Sequence, residues 1–151
     1  MLTNISKNLY ANHAVALIMY TKKLHLLMQL RDEIKNIWYP GHWGLFGGAL
    51  EKKETFNEAL SREIKEEISL DKKNFEFFSC VKLDFSSIGK SKNVLRKYYL
   101  LEISNKDLEK IILKEGKSWK TLSYTEFNKL NKVVPYDKLA IDLFFAKFLD
   151  L

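Results

Sequence analysis

The sequence predicts an α/β fold, with one domain over residues 1–151 and a mixed β-sheet packed between helices. The chain is 46% hydrophobic and 13% aromatic, so it can bury a core and does not have the composition of a disordered protein. Strand-like and helix-like patterns alternate irregularly along it, and no internal repeat or low-complexity segment interrupts them. The irregular alternation favours a sheet of mixed strand directions.

The strand predictions rest on short apolar or alternating runs that are separated by turn residues. The first two runs, AVALIMY and LHLLMQL, precede a loop rich in glycine and aromatic residues, which ends at Gly47 and Gly48. The predicted strands cover residues 14–20, 24–30, 75–85, 94–103 and 117–122.

The strongest helix prediction runs from Thr55 to Ile68. Thr55 followed by Glu58 fits a capping box, in which each side chain satisfies a free backbone N–H group of the other residue. Two further helices are predicted over residues 124–130 and 136–149, and Pro135 suits the start of the second.

The composition excludes several kinds of site. Cys80 is the only cysteine, so the sequence offers neither an intrachain disulfide nor a cysteine-based zinc site. The three histidines do not have the spacing of metal ligands. No signal peptide is recognisable, and the apolar run 14–20 is too short to span a membrane. We therefore expect a cytoplasmic protein without a membrane partner.

The formal net charge of +6 suits an anionic partner. The lysines are spread along the chain and do not form the basic stripe of a nucleic-acid-binding surface, so we do not expect a nucleic-acid partner. We expect a small-molecule nucleotide as the partner. The sequence does not choose between a monomer and a homodimer.

The acidic residues of the first predicted helix fall into two groups when successive residues are placed 100° apart around its axis. Glu67 then projects within roughly 20° of the centre of the buried face, and Glu63 within roughly 60°. Glu66 lies at the edge of this sector, whereas Glu58 points away from it. The apolar residues that mark the buried face are Phe56, Ala59, Leu60, Ile64 and Ile68.

A carboxylate on the buried side of a helix is unfavourable unless a positive charge compensates it. Arg62 and Lys65 are the nearby cations of this helix, and neither shares the buried face well. A bound divalent cation would compensate Glu63 and Glu67, and all-oxygen ligands suit Mg²⁺ or Mn²⁺. A structural ion-pair network is the alternative that the helix geometry leaves open.

The segment from Gly48 to Leu70 resembles the signature of the Nudix hydrolase family, G-x5-E-x7-R-E-U-x-E-E-x-G-U, where U is a bulky aliphatic residue. The matching positions run from Gly48 through Glu54 to REIKEEISL, which is residues 62–70. The only fixed position that departs is Ser69, which replaces a glycine. Glycine at a helix end often takes the left-handed conformation, so this replacement concerns stability and removes no ligand.

The resemblance implies an α/β/α sandwich and a magnesium-dependent hydrolase of diphosphate linkages. It implies that metal ions are held by Glu63, Glu66 and Glu67, with the carbonyl of Gly47 as a further ligand. One of these glutamates, or a carboxylate outside the signature, would activate the attacking water. Manganese is the other metal that this ligand set suits.

Further roles follow from the same resemblance. Arg62 would orient a catalytic glutamate, and Gly48 would allow close approach of the substrate to the backbone. Glu54 would hold the loop or contact the metal through water. Glu115 is a candidate for a further carboxylate, and a simple turn residue beside Gly116 is the other interpretation.

The substrate is less well defined than the reaction. The extra motifs of several Nudix branches are absent, which favours a nucleoside triphosphate or a nucleotide sugar. Candidate substrate-binding residues are Gly48, Arg31, which could instead pair with Asp32 or Glu33, and Arg96. Arg96 and Lys97 are neighbours on a strand and point to opposite sides, so at most one of them can face the substrate. Trp43, like Trp38 and Tyr39 of the same loop, could stack on a base or could instead pack in the core or the loop. The alternative functions are a non-catalytic Nudix-like module that senses a nucleotide, and an enzyme of RNA ends or damaged mononucleotides.

Overall fold

The structure, a computed structural model, describes residues 11–149. These residues form six strands, namely β1 (Ala14–Tyr20), β2 (Leu26–Leu30), β3 (Trp43–Gly44), β4 (Glu76–Leu83), β5 (Val94–Glu102) and β6 (Ser118–Leu122). The helices are α1 (Phe56–Ile68), α2 (Asn105–Glu109), α3 (Tyr124–Phe127) and α4 (Pro135–Phe148), and a 3₁₀ turn covers Ser86–Ile88. No helix in the described range is both long and apolar enough to cross a lipid bilayer.

The six strands form one mixed sheet, as the sequence predicts. Its main order is β3-β2-β1-β5-β4, and β6 also pairs with β2. β1 runs parallel to β5, whereas every other named pair is antiparallel. The parallel pair needs a crossover between its strands, and α1 lies in that crossover.

Side chains on the two faces of the sheet form two separate hydrophobic clusters. In β1, Ala16 and Ile18 face the cluster that includes α4, while Val15, Leu17 and Met19 face the cluster that includes α1. α1 contributes Leu60 and Ile64, and α4 contributes Ile141 and Phe144, all of them fully buried. Helices therefore cover both faces, which confirms the predicted α/β/α sandwich.

The start of α1 also agrees with the sequence. The Thr55 side chain accepts a hydrogen bond from the Glu58 N–H, and the Glu58 carboxylate accepts one from the Thr55 N–H at 2.8 Å, so the capping box is present. The helix ends at Ser69, whose φ of 59° and ψ of 20° lie in the left-handed region. Serine occupies here the backbone conformation that glycine adopts without strain.

The main differences from the sequence prediction concern three elements, while β2 and β4 are shorter than predicted. β3 and α2 are additional, and α3 ends at Phe127 because the chain then turns to bring Lys132 and Val133 alongside Trp43. β3 has only two residues and exists through its pairing with the end of β2. α2 begins with a Ser104–Asp107 capping box, a local signal that the sequence prediction did not include.

Candidate active site

The central carboxylate of the candidate site is that of Glu67, near the C-terminal end of α1. Glu67 is only 5% exposed, as the helix geometry predicts. The Gly47 N–H donates to its Oε2 at 2.8 Å, and the Gln29 Nε2 donates to its Oε1 at 3.3 Å. The same Gln29 amide donates to the Leu45 carbonyl, which ties β2, the glycine loop and α1 together around this carboxylate.

The environment of Glu67 disfavours its charged form. Burial is the main cause and raises its pKa to about 8, and the nearby Glu63 carboxylate acts in the same direction. The Gly47 N–H and the Gln29 amide oppose the rise only in part. Burial also raises the pKa of Glu63, although its contact with Arg62 lowers it. The two carboxylates thus lie close together with too little positive charge around them.

Arg62 connects the remaining acids of the site. Its guanidinium makes two bonds to the Glu54 carboxylate, at 2.8 and 2.9 Å, and one to Glu63 Oε1 at 2.8 Å. A longer bond of 3.2 Å reaches Glu66. The bonds to Glu54 and Glu63 use the planar, forked donors of the guanidinium group. It supports the structural interpretation of Glu54 and brings Arg62 into contact with one of the candidate catalytic glutamates.

The helix wheel underestimates the reach of Arg62. It places Arg62 away from the buried face, so helix geometry alone does not predict that Arg62 compensates Glu63, whereas the resemblance implies that Arg62 orients a catalytic glutamate. The long side chain nevertheless reaches Glu63 Oε1. Part of the ion-pair alternative is therefore present, but no ion pair reaches Glu67 from any described residue.

Close contacts surround both glycines of the loop, with backbone at Gly47 and with the end of a side chain at Gly48. Gly47 has φ of 136°, and a Cβ at this position would collide with the Val15 carbonyl oxygen. A Cβ at Gly48 would collide with the Glu63 carboxylate. β1 donates hydrogen bonds to the carbonyls of Phe46 and Gly48, on either side of Gly47. The Gly47 carbonyl accepts neither of these two bonds from β1, which is compatible with its predicted role as a metal ligand.

Glu115 approaches the same site from the loop before β6. Its charge raises the pKa of both Glu63 and Glu67. The loop is anchored on both sides, because the Lys114 N–H donates to the Glu67 carbonyl at 2.8 Å and the Gly116 N–H donates to Asp32 at 3.1 Å. The structure therefore brings Glu115 towards the α1 carboxylates, although it is distant from them in sequence.

The donor set fits a hard divalent cation in its chemistry. All the candidate donors are carboxylate or carbonyl oxygens, and the mutual repulsion of the carboxylates calls for positive charge. Among residues 11–149, however, no three His, Cys, Asp or Glu side chains are arranged as a ready metal-binding group. Arg62 Nη1 bonds one oxygen of Glu63 and one of Glu66. The second oxygen of each of these two carboxylates is not bonded by Arg62.

A cavity of about 300 Å³ lies next to the glycine loop. Gly47 and Gly48 form part of its wall, and Arg31 and Arg96 line it as well. Its polar and aromatic lining includes Asn12, Asn36, Trp38, Phe85, Tyr136 and Asp137. The structure thus brings three of the predicted substrate residues to one cavity.

The two arginines of the cavity have different partners. Arg96 forms an ion pair with the buried Asp137 at 3.0 Å on the α4 side of the sheet, whereas Lys97 lies over the Phe56 ring on the α1 side. This is the opposite orientation expected of neighbours on a strand. Arg31 donates its Nε to the Trp38 carbonyl at 2.9 Å. The two alternative partners predicted for Arg31 interact with other residues. The Asp32 carboxylate accepts a hydrogen bond from the Gly116 N–H, and the Glu33 carboxylate lies near the Lys117 ammonium.

Trp43 lies outside the lining of this cavity. Its strand, β3, pairs with β2, and its ring packs against the α4-side cluster with the Lys120 ammonium 5.8 Å from the ring centroid. Trp38, in the same loop, lines the cavity instead. Periodicity does not indicate which aromatic residue of an irregular loop faces a cavity.

Sequence reasoning missed two polar residues of this region. Gln29 is 3% exposed and holds Glu67, and its signal was an amide within the otherwise apolar run LLMQL. Asp137 is 2% exposed and accepts a hydrogen bond from the Leu45 N–H at 3.0 Å, two residues before Gly47. No local signal marked Asp137, because its partners lie far away in the sequence.

Comparisons with known proteins agree with this architecture. The NUDIX domain family model matches residues 11–144. An RNA pyrophosphohydrolase of a Nitratiruptor species is 30% identical over 141 residues, which are 89% of this chain and 84% of that protein. The nucleoside triphosphatase NudI of an Enterobacter species is 57% identical over 30 residues, about a fifth of each chain.

Solved structures show the same fold at lower identity. A MutT protein from Methanosarcina mazei Go1 is similar with a TM-score of 0.74 and 17% identity, over 94% of this chain and 98% of that one. The E. coli dihydroneopterin triphosphate pyrophosphohydrolase is similar with a TM-score of 0.68 and 21% identity, over 90% and 97% of the two chains. At these identities the likeness concerns the fold alone.

Proposed function

The chain belongs to the Nudix hydrolase family, and from this premise we propose that it hydrolyses a diphosphate linkage in a nucleoside triphosphate or a nucleotide sugar, with Mg²⁺ as the cofactor. The observation that carries the proposal is the buried carboxylate of Glu67, which lies beside Glu63 and has no ion-pair partner among the described residues. A carboxylate in such a place is unfavourable for a purely structural role. Mn²⁺ satisfies the same oxygen ligands.

The roles of the side chains follow from their contacts. Gly47 and Gln29 fix the direction of the Glu67 carboxylate, and Arg62 fixes that of Glu63. One of the carboxylates near the site accepts the proton of the attacking water, and Glu115 remains a candidate together with the α1 glutamates. When bound, the divalent cation neutralises the phosphate oxygens and makes water more acidic.

The backbone and the cavity supply the positioning. Gly48 offers an approach without a side chain, and the cavity on its other side accommodates the nucleoside. Holding the diphosphate between the two regions aligns the phosphorus with the attacking water, so that much of the rate enhancement comes from orientation and charge compensation.

The experiment is a release assay for phosphate and pyrophosphate across nucleoside triphosphates and nucleotide sugars, with MgCl₂, with MnCl₂ and with EDTA. We expect at least one compound to be cleaved in the presence of a divalent cation and none in EDTA. Nucleotide binding without cleavage of any compound would reject the enzyme in favour of the sensing module.

A second candidate substrate is the 5′ triphosphate end of an RNA. It is favoured by the 30% identical relative, which is named an RNA pyrophosphohydrolase and aligns with 89% of the chain. The net charge of +6 is compatible with a polyanion. Comparison of a 5′-triphosphorylated oligonucleotide with the corresponding free triphosphate decides between them, because an RNA enzyme prefers the oligonucleotide in kcat/KM.

A further inference from the structure

The cavity and the candidate catalytic carboxylates lie on opposite sides of the glycine loop. Gln29 points towards α1, where it meets Glu67. Arg31, two residues later, lies on the α4 side: a Cβ added at Gly44 would be 3.8 Å from Arg31 Cδ and 3.2 Å from Asp137 Oδ2. A nucleotide whose diphosphate reaches the α1 carboxylates therefore places its nucleoside near Arg31.

Arg31 presents hydrogen-bond donors to this cavity. Its Nε is used by the Trp38 carbonyl, at 2.9 Å, which fixes the plane of the guanidinium. Within the described part of the chain, its two terminal nitrogens have neither a hydrogen-bond nor an ion-pair partner. A guanidinium whose Nε is bonded and whose two terminal nitrogens have no such partner is arranged to bind two neighbouring acceptors.

The carboxylate that could pair with Arg31 from within the cavity is occupied. Asp137 is the only carboxylate among the described lining residues, and it is 2% exposed. Its Oδ1 accepts from Arg96 and from the Tyr98 hydroxyl, and its Oδ2 accepts from the Leu45 N–H. The charged groups of the cavity thus offer donors, and a complementary ligand must bring acceptors.

The size and the walls of the cavity describe the rest of the ligand. About 300 Å³ is at the lower end of the range for ligand pockets and suits one nucleoside, not two. Trp38 and Phe85, from two different loops, meet with their ring centroids 5.1 Å apart and form an aromatic part of the wall. A flat, aromatic ligand with an acceptor edge matches both features.

We propose that Arg31 binds the O6/N7 edge of a 6-oxopurine, so that this site prefers guanine-type nucleotides to adenine nucleotides. Guanine and hypoxanthine present two adjacent acceptors there, which match a guanidinium fork. Adenine presents one acceptor and an amino group, which is a donor and opposes Arg31. The proposal rests on the proposed nucleotide hydrolysis and names the base that this site selects.

Binding of a phosphate group by Arg31 is the competing interpretation. It accords less well with the position of Arg31, which lies beside Gly44 and Asp137 on the α4 side, whereas Glu67 meets Gln29 on the α1 side. Replacing Arg31 with lysine distinguishes the two interpretations. Lysine keeps the positive charge for a phosphate but lacks the fork that reads two acceptors.

The experiment compares kcat/KM for GTP, ITP, ATP and 7-deaza-GTP in the wild type, in Arg31→Lys and in Lys35→Gln. Lys35 is an exposed cation of the same loop and does not line the cavity, so its variant is the matched control. We expect the wild type and the control to favour GTP and ITP over ATP by about 5- to 150-fold, the range of one bidentate base contact. 7-Deaza-GTP, which lacks the N7 acceptor, should fall towards ATP.

Arg31→Lys should bring the GTP-to-ATP ratio close to one. An unchanged ratio in this variant, or an equal loss for all four nucleotides, would overturn the proposal, and the equal loss would indicate a phosphate contact. Thermal unfolding checks that the variant is folded. If it is not, the comparison of GTP with 7-deaza-GTP in the wild type decides.

Failure of this inference is distinguishable from failure of the proposed function. If no nucleotide is cleaved, the proposed function fails, and calorimetric titration of GTP and ATP into the wild-type protein still measures the base preference. Tighter binding of GTP would support the role of Arg31, and equal binding of the two would reject it.

Discussion

Replacing Glu67 with glutamine should stabilise the metal-free protein at alkaline pH. Burial, assisted by the Glu63 carboxylate, raises the pKa of Glu67 from 4.5 to about 8. The folded state therefore binds a proton more tightly than the unfolded chain does. The free energy of unfolding is highest below about pH 4.5 for this group and falls as the pH rises towards 8, where the charged form must be buried.

The size of the effect follows from the same shift. At about 1.4 kcal/mol for each pKa unit, the change from 4.5 to about 8 corresponds to roughly 5 kcal/mol. Glutamine stays neutral and keeps the bond from Gly47, but its amide loses the bond from Gln29, which contributes about 1 kcal/mol. The variant should therefore be more stable than the wild type by the order of 4 kcal/mol at pH 9.

The assay is urea unfolding in EDTA at pH 5, 7 and 9, with Glu66→Gln as the control. Glu66 lies on the same helix with 56% of its side chain exposed, so its variant should retain the pH dependence of the wild type. Parallel pH profiles for wild type and Glu67→Gln, or a less stable Glu67→Gln at pH 9, would refute the idea that burial destabilises this carboxylate.

Three further substitutions test the local geometry. Ser69→Gly should raise the free energy of unfolding by about 0.5–1 kcal/mol, because Ser69 is left-handed, and urea unfolding measures it. Gly47→Ala should destabilise the protein by more than about 3 kcal/mol, since its Cβ would meet the Val15 carbonyl at a φ of 136°; a stability close to wild type in the same assay would contradict this contact. Arg62→Lys keeps the charge but loses the planar guanidinium that bonds Glu54 and Glu63 together, so kcat should fall by about tenfold or more while KM changes little. Steady-state kinetics would show a pure KM effect instead if Arg62 only attracted substrate.

Local patterns were sufficient for much of the fold and for part of the site. Helical spacing alone placed Glu67 on the buried side, and the Thr55–Glu58 capping box marked where the helix starts. These features depend on residues a few positions apart, so a sequence displays them directly. The fold class followed in the same way, from runs of apolar residues with strand or helix period.

The features that escaped prediction depend on contacts between distant segments. Gln29 reaches Glu67 across 38 positions, and Asp137 reaches Leu45 across 92. Glu115 is a candidate from the sequence, but only the folded loops show that it approaches the α1 carboxylates and that Trp38, not Trp43, lines the cavity. No periodicity encodes such contacts, and a long side chain such as that of Arg62 can leave the direction that its helix position suggests.

The most direct test of the central claim is turnover by Glu67→Gln at saturating Mg²⁺, on whichever nucleotide the wild type cleaves. Glu109→Gln, which replaces an exposed carboxylate of α2, is the matched control. The buried carboxylate is predicted to be essential, so Glu67→Gln should lose metal-dependent hydrolysis almost completely while its circular dichroism spectrum stays that of the wild type, and Glu109→Gln should remain active. Near-normal turnover by a folded Glu67→Gln protein would contradict the account.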